Sequence, residues 1–261
     1  MADSPNTPGK RPGALQTADR ALVALLAFQE RPSWGVTELA QHLGIDKSMA
    51  QRLLATLAHR QFVLADPETR RYSLGPALTV LARVAERGNG LGNLAQPLLA
   101  DLVKQVGESA ILSVPHGTLT RCAAAVDANG PIRYTTIVGE TMPGYGGASA
   151  HAVFAYYPAD EVRRLFGAGP YPSHSEETVT DLDTLLACHA EVRRTGISVS
   201  NGEYDPAVSC VAAPGFLDGQ VIASIAVIGP RERFAGKLEK SRAAVADAGA
   251  RLTELLQGGR L

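Results

Sequence analysis

The sequence predicts an α+β chain: an N-terminal winged helix-turn-helix, a linker helix, and a C-terminal antiparallel sheet flanked by helices. Three observations predict it. Two short amphipathic patterns, VTELAQHL and DKSMAQRLLATLAH, are separated by only two residues, Gly44 and Ile45. Two strand-like runs around the turn sequence DPET follow at once. From Glu108 onward, strand-like runs come in two groups of three, with helical patterns between and after them. That segregation favours an antiparallel sheet with helices packed against it.

The bulk numbers fit two units with different tasks. A chain of 261 residues suits one small and one medium domain, and 45% hydrophobic residues supply a core. The formal net charge of −1 argues against a chain devoted wholly to nucleic acid. It hides an asymmetry: Lys10 to Arg87 holds 11 Lys and Arg against 7 Asp and Glu, whereas Gly88 to the end holds 14 against 18. A basic first third suits a polyanion. Cys122, Cys188 and Cys210 are odd in number and show no CxxC spacing. Neither a disulfide framework nor a zinc site is supported, and a reducing cytoplasm is the simplest compartment. No apolar run suggests a signal peptide or a membrane span. The histidines lack metal-ligand spacing, so no metal and no cofactor is expected.

Taken in order, residues 1–16 are rich in Pro, Gly, Ser and Asn and read as a disordered tail. TADRALVALLAFQ is helical, with Thr17 as its N-cap. RPSWG breaks the pattern. The next helix starts from the N-cap candidate Thr37 and stops at Gly44, a natural left-handed position. The third starts from Asp46 and runs to about His59, burying Met49, Leu53, Leu54 and Leu57. Phe62–Leu64 and Arg71–Leu74 are strands joined by a tight turn. Residues 17–75 thus form the DNA-binding domain, 76–90 a linker helix, and 91–261 the second domain. Gly88, Gly90 and Gly92 mark the joint. In the second domain LAQPLLADLVKQVG is helical. ESAILSVPHG, TLTRCAAAVD and IRYTTIVGE are strands, and GGASAHAVFAYYPADEVRRLFG is a helix pair. TDLDTLLACHAEVRRTG is a helix capped by Thr180 and ended by Gly196. ISVSNGEY, VSCVAAPGF and QVIASIAVIG are strands, and a helix closes the chain from about Arg233 to Leu256.

Two short helices joined by a tight turn present the second helix to the major groove of double-stranded DNA, its first residues reaching base edges. Here those residues are Lys47, Ser48, Gln51 and Arg52, which helical spacing places near one side. Gln reads adenine and Arg reads guanine bidentately, and the helix N-terminus attracts phosphate. Arg70 and Arg71 on the hairpin are expected at phosphate or the minor groove, and Thr37 on the backbone.

The residues from Val36 to Ala82 resemble the N-terminal domain of IclR-type bacterial transcriptional regulators. The marks are Ser48 followed by Arg52-Leu53-Leu54, and a wing ending Tyr72-Ser73-Leu74-Gly75. VGETMP, EVRRTGISVSNGEYDPAVSCVAAPGFLDGQVIASIAVIGP and the terminal helix follow in the family's order, so the resemblance covers about Thr17 to Leu256. It implies a GAF-like effector domain, a dimer built partly through the DNA-binding domains and often paired into a tetramer, and control, as repressor or activator, of a nearby catabolic operon. The effector it implies is a small organic or aromatic compound, commonly an acid.

The resemblance also implies where the effector sits. One wall is the loop and helix start after MP, with Gly144, Tyr145, Gly146, Gly147, Ala148 and Ser149, whose backbone N–H groups suit a carboxylate. Ser200 and Cys210 form a second, and Ala226 and Ile228 on the last strand a third. The sequence departs from the family where Thr-Ala-x-Gly-Lys-Ala is usual, showing Gly147-Ala148-Ser149-Ala150-His151-Ala152 instead. Ala226 and Ile228 replace polar residues, and the acidic residue common at Ser200 is missing, so a less polar cavity is expected. His151 reads as a helix-surface or core-edge residue. The competing function is a small-molecule hydrolase with Cys210 or Ser209 as nucleophile. It lacks a GxSxG elbow, a phosphate loop and an evident base, so no catalytic residue is expected.

Overall fold

The computed structural model describes residues 15–87, 90–131 and 133–258. Most of the expected tail, and Gly88 of the expected joint, lie outside them. The chain divides into two compact units, one ending at Gly88 and the other beginning at Asn89. Among the described residues no helix is long and apolar enough to cross a membrane.

The first unit opens with α1 (Gln16–Leu26) and one 3-10 turn, Ala27–Gln29. Thr17 lies inside α1 rather than capping it; Leu15 holds the cap position without a side-chain bond. Next come β1 (Ser33–Gly35), α2 (Val36–His42), α3 (Lys47–His59), β2 (Val63–Ala65), β3 (Arg71–Leu74) and α4 (Pro76–Arg87). The wing is an antiparallel sheet in the order β1-β3-β2. Strand β1 lies in the stretch that reads only as a break, because three residues are too few to show alternation. Gly35, not Thr37, caps α2, and the Glu38 carboxylate accepts the Gly35 N–H at 3.2 Å. Gly44 takes φ +62°, letting Ile45 N–H reach back to Ala40 O at 3.0 Å and close α2.

Ala24, Phe28, Trp34, Leu39, Leu54, Leu57 and Val63 form the core of this unit. Trp34 is 1% exposed, and its indole N–H donates to Ala27 O at 3.0 Å. Gly75 shows why the Tyr-x-Leu-Gly ending needs glycine. Its N–H donates to Phe62 O at 2.8 Å, and a Cβ there would stand 2.2 Å from Gln61 O. No side chain fits that approach.

The second unit contains α5 (Gly90–Val106), β4 (Ser109–His116), β5 (Leu119–Val126), β6 (Thr141–Pro143), α6 (Ala148–Phe154), α7 (Ala159–Phe166), α8 (Leu182–Thr195), β7 (Ser198–Asn201), β8 (Val208–Leu217), β9 (Gln220–Pro230), α9 (Arg231–Phe234) and α10 (Leu238–Leu256). Its sheet is antiparallel in the order β6-β5-β4-β9-β8-β7.

Four local expectations are corrected. Residues 133–140 form no strand: Ser109 Oγ donates to Tyr134 O at 2.6 Å, and Ile137 and Val138 point outward. The segment is a loop whose end, Gly139 and Glu140, exchanges backbone hydrogen bonds with Cys122 before Thr141–Pro143 continues the pairing with β5 as a strand. Asp181, not Thr180, caps α8 by accepting the Thr184 N–H at 2.9 Å. The terminal helix starts at Leu238, after α9 and a 3-10 turn over Ala235–Lys237. Gly92 is buried inside α5 rather than in a joint.

Alternation along each strand sorts the side chains onto two faces. Leu112, Val211, Ala213, Ile225 and Val227 join the core with α5 and α10, including Leu99, Val245 and Leu252. Ile111, Cys210, Ala212, Ala226 and Ile228 face the other way, with Ala148 and Ala152 of α6. Cross-strand register puts Ser200 opposite Cys210, and Cys210 opposite Ile228. That second face carries the cavity.

Candidate functional site

Two surfaces carry the residues singled out by sequence. On the first unit, Asp46 caps α3, its Oδ1 accepting the Met49 N–H at 2.8 Å and the Ser48 hydroxyl at 2.6 Å. These bonds hold the Asp46 carboxyl below the usual carboxylate range, the Ser48 bond first and the Met49 bond next. The start of α3 therefore already holds an anion, and Ser48 is tied to it, so this helix end is not a vacant phosphate seat. Lys47, Gln51 and Arg52 are exposed beyond the cap. Thr37 is exposed at the start of α2.

The two wing arginines part company. Arg70 is exposed at φ +55°, after a turn in which Asp66 accepts the Glu68 N–H at 2.9 Å and the Thr69 hydroxyl at 2.6 Å. Arg71, expected on the DNA side, lies along the surface of the unit and is engaged by its neighbours. Its guanidinium forks onto Glu38 at 3.1 and 2.9 Å and also bonds Ser33 Oγ at 2.9 Å and Ser33 O at 3.0 Å. The β1–β3 pairing sets Arg71 opposite Gly35, within reach of Glu38 on the first turn of α2. Arg71 thus ties the wing to the helix-turn-helix.

On the second unit a recess of about 640 Å³, its open mouth included, lies between the start of α6, the loop before β6 and the sheet face described above. Gly146, Gly147, Ala148, Ser200, Cys210 and Ile228 line it, and most of its wall is carbon. Tyr145 and Ala226 do not line it. Tyr145 turns toward α7 and α8, stacking on Tyr171 at 4.8 Å with its hydroxyl on Pro172 O at 3.2 Å. Ala226 is 0% exposed and packs among the small residues of α6. The aromatic rings in the wall are Tyr134 and Tyr204.

The residue that sequence reasoning missed is Glu203, in the turn between β7 and β8. Its Oε2 accepts the Gly147 N–H at 2.7 Å and lies 2.8 Å from His151 Nε2. Ser200 Oγ accepts the Ala148 N–H at 3.0 Å. Gly147 can donate this way because it takes φ +86° at the head of α6, a conformation open to glycine. Two of the loop amides expected to receive an effector carboxylate, those of Gly147 and Ala148, are thus already held by the protein's own side chains. The available signal was the acid in NGEYDP, three residues beyond Ser200, where the family's acidic residue is missing.

His151, expected at the helix surface or the core edge, is 2% exposed, on the core side of that choice. Its ring meets that of His189 edge-on at 5.7 Å. Both ring nitrogens of His189 are buried without a partner. Burial, and then the charges of His151 and Arg193, push its pKa down to about 3.

The nucleophile candidates are inert. Cys210 touches Ser149 Oγ at 3.9 Å, and burial pushes its thiol up to about 12. At neutral pH the thiolate is negligible. Ser209 is buried with its hydroxyl on Asn201 Oδ1 at 2.7 Å.

A winged helix-turn-helix unit and a second unit with a recess in an antiparallel sensor fold together define a class, the ligand-responsive DNA-binding regulators. Comparison with known proteins gives the family. Residues 17–67 match the IclR helix-turn-helix domain, and residues 87–253 match the bacterial transcriptional regulator IclR C-terminal domain. The chain belongs to the IclR family of bacterial transcriptional regulators. It is 28% identical to the HTH-type transcriptional regulator BhcR of Paracoccus denitrificans, over 85% of this chain and 80% of that one. It is 26% identical to the regulator KdgR of Escherichia coli, over 86% of each. An IclR transcriptional regulator of known structure from Silicibacter sp. superposes with a TM-score of 0.62 at 29% identity, covering 94% of this chain and 97% of that one.

Proposed function

We propose that this regulator represses a catabolic operon near its own gene and is switched by a small organic effector bound in the second-unit recess. The observation that carries the proposal is the recess itself, between the start of α6 and the sheet face opposite the one filled by α5 and α10. Residues 17–75 serve as the DNA-binding domain, 76–90 as the linker helix and 91–261 as the effector domain. Lys47, Gln51 and Arg52 read the operator, Ser48 holds the helix start, and Thr37 and Arg70 meet phosphate. Gly146, Gly147, Ala148, Ser200, Cys210 and Ile228 surround the effector. Its action is a population shift, as large as its difference in affinity for the two arrangements of the DNA-binding domains.

The protein works as a homodimer, or a pair of dimers, in the bacterial cytoplasm where its operator is. Exposed apolar side chains support self-association: Leu22 and Leu26 on α1, and Val80, Leu81 and Val84 on α4, are each 47% exposed or more. Such a stripe marks an interaction surface. No catalytic step is assigned, because both candidate nucleophiles are buried, the Cys210 thiol un-ionised and the Ser209 hydroxyl bonded to Asn201.

Fluorescence anisotropy on the DNA beside the gene, at two salt concentrations, tests the proposal. Specific binding that weakens steeply with salt and is lost in Arg52→Ala supports it. Equal binding to a scrambled duplex overturns it.

A further inference from the structure

We infer that the effector is a protonated organic amine with an apolar body, not a carboxylate. The inference rests on the reading of the recess as the effector site and gives that effector a chemical class.

The first ground is the seat an acid would need. At the head of α6 the Gly147 N–H is held by Glu203 and the Ala148 N–H by Ser200. The Ala150 and His151 N–H groups both return to Gly147 O at 3.1 Å, and the Ser149 N–H between them faces the Cys210 thiol. An incoming carboxylate would have to displace Glu203, a tethered carboxylate at an effective concentration no free ligand matches.

The second ground is charge. The ionisable carboxyls in the wall are Glu140, Glu203 and Asp205, and among the described lining residues there is no Lys, Arg or His. A ligand carboxylate would meet like charges at short range in a mostly apolar recess, where such repulsion is strong. His151 pairs with Glu203 from outside the wall and engages only Oε2. Oε1 takes no hydrogen bond among the described residues and remains an acceptor. Asp205 uses Oδ1 for the Ala207 N–H at 2.9 Å.

The third ground is the rest of the lining. Thr136 Oγ1 is buried without a partner and lies in the wall. A hydroxyl oxygen there accepts from an ammonium. Tyr134 and Tyr204 put aromatic rings in the wall, a group type that attracts cations, while Ile111, Met142, Val208 and Ile228 suit a hydrocarbon body. Acceptors, π-faces and carbon walls together describe an amine site.

The chain's methionines make the test site-specific. Met142 lies in the wall and Met49 in the first unit, so methyl-labelled methionine NMR reports the recess and an internal control together. Matched compounds are titrated into the full chain: benzylamine against benzyl alcohol and benzoate, and hexylamine against hexanol and hexanoate. The expected result is that the amines shift the Met142 methyl at lower concentration than their partners and leave Met49 unmoved. Glu203→Gln keeps an oxygen for the Gly147 N–H but removes the charge, and should weaken the amines about tenfold. If that variant misfolds, Asp205→Asn, checked by circular dichroism, should reduce the amine preference in the same direction. Alcohols or carboxylates that shift Met142 as readily as the amines overturn the amine assignment and leave the effector site standing. A Met142 methyl unmoved by every compound overturns the effector-site reading, and the amine assignment with it.

Discussion

Glu203 reaches from the turn between β7 and β8 to the Gly147 N–H at the head of α6, a bond of 2.7 Å across 56 residues of sequence. It joins two walls of the recess and fixes the height of the glycine loop above the sheet. Ser200 makes the companion bond to Ala148 at 3.0 Å. A ligand in the recess therefore acts on groups that hold the sensor domain together.

Ser200→Ala tests that role without altering charge. The Ala148 N–H loses its acceptor inside a buried site, and such an orphaned donor costs about 1–3 kcal/mol. The urea midpoint of the sensor domain should fall accordingly, while Ser200→Thr, which keeps the hydroxyl, should recover part of the loss.

His189 gives the sensor domain a pH dependence with a defined sign. Burial lowers its pKa from 6.5 to about 3. Between those values the unfolded chain binds a proton that the native chain does not. Stability is thus full above the unfolded value and falls with falling pH, by about 1.4 kcal/mol per unit, down to the native value. Replacing His189 with Leu should flatten the stability profile between pH 6 and 4, measured by chemical denaturation across that range, because an apolar side chain binds no proton in either state. A profile as steep as wild type would assign the slope to other groups.

The wing arginines should differ in kind. Arg70→Ala should reduce the salt slope of operator binding by roughly 0.9, one phosphate contact. Arg71→Ala should leave that slope near wild type and lower the melting temperature, since it frees Glu38 and Ser33 from their shared partner. Arg71→Lys should rescue little, because one ammonium cannot replace a bidentate fork.

Gly75→Ala should be severe for its size. The new methyl would overlap Gln61 O and force β3 away from the segment before β2. Overpacking of this kind costs typically 1–3 kcal/mol or more. The readouts are the unfolding midpoint and loss of operator binding at unchanged sensor-domain ligand affinity.

Much of this architecture was legible in the chain. The caps at Asp46 and Gly196, the stop at Gly44 and the alternation along β8 and β9 are local signals, and the structure follows them. The misses are nonlocal. The fork of Arg71 onto Glu38 is invisible in sequence because nothing within a few residues shows that β1 exists or that Glu38 lies across it. Tyr145 and Tyr134 exchanged places because which side of a glycine-rich loop faces a cavity depends on packing with α7 and α8. Glu203 was passed over because a turn residue declares its target only when α6 is in place. Ile132 to Glu140 alternates like a strand, yet the part of it described is a loop, anchored by the Ser109 hydroxyl at the start of β4, by Asp127 and by the backbone of Cys122 on β5.

The central claim is that occupancy of the recess and binding of the operator are coupled. The direct measurement is the operator Kd by anisotropy, with and without a saturating amount of the compound that most strongly shifts the Met142 methyl, and the affinity of that compound with and without operator. The account predicts a change of about fivefold or more in the first, matched by the same factor in the second, as linkage requires. An operator Kd unchanged while Met142 reports a full recess would contradict it.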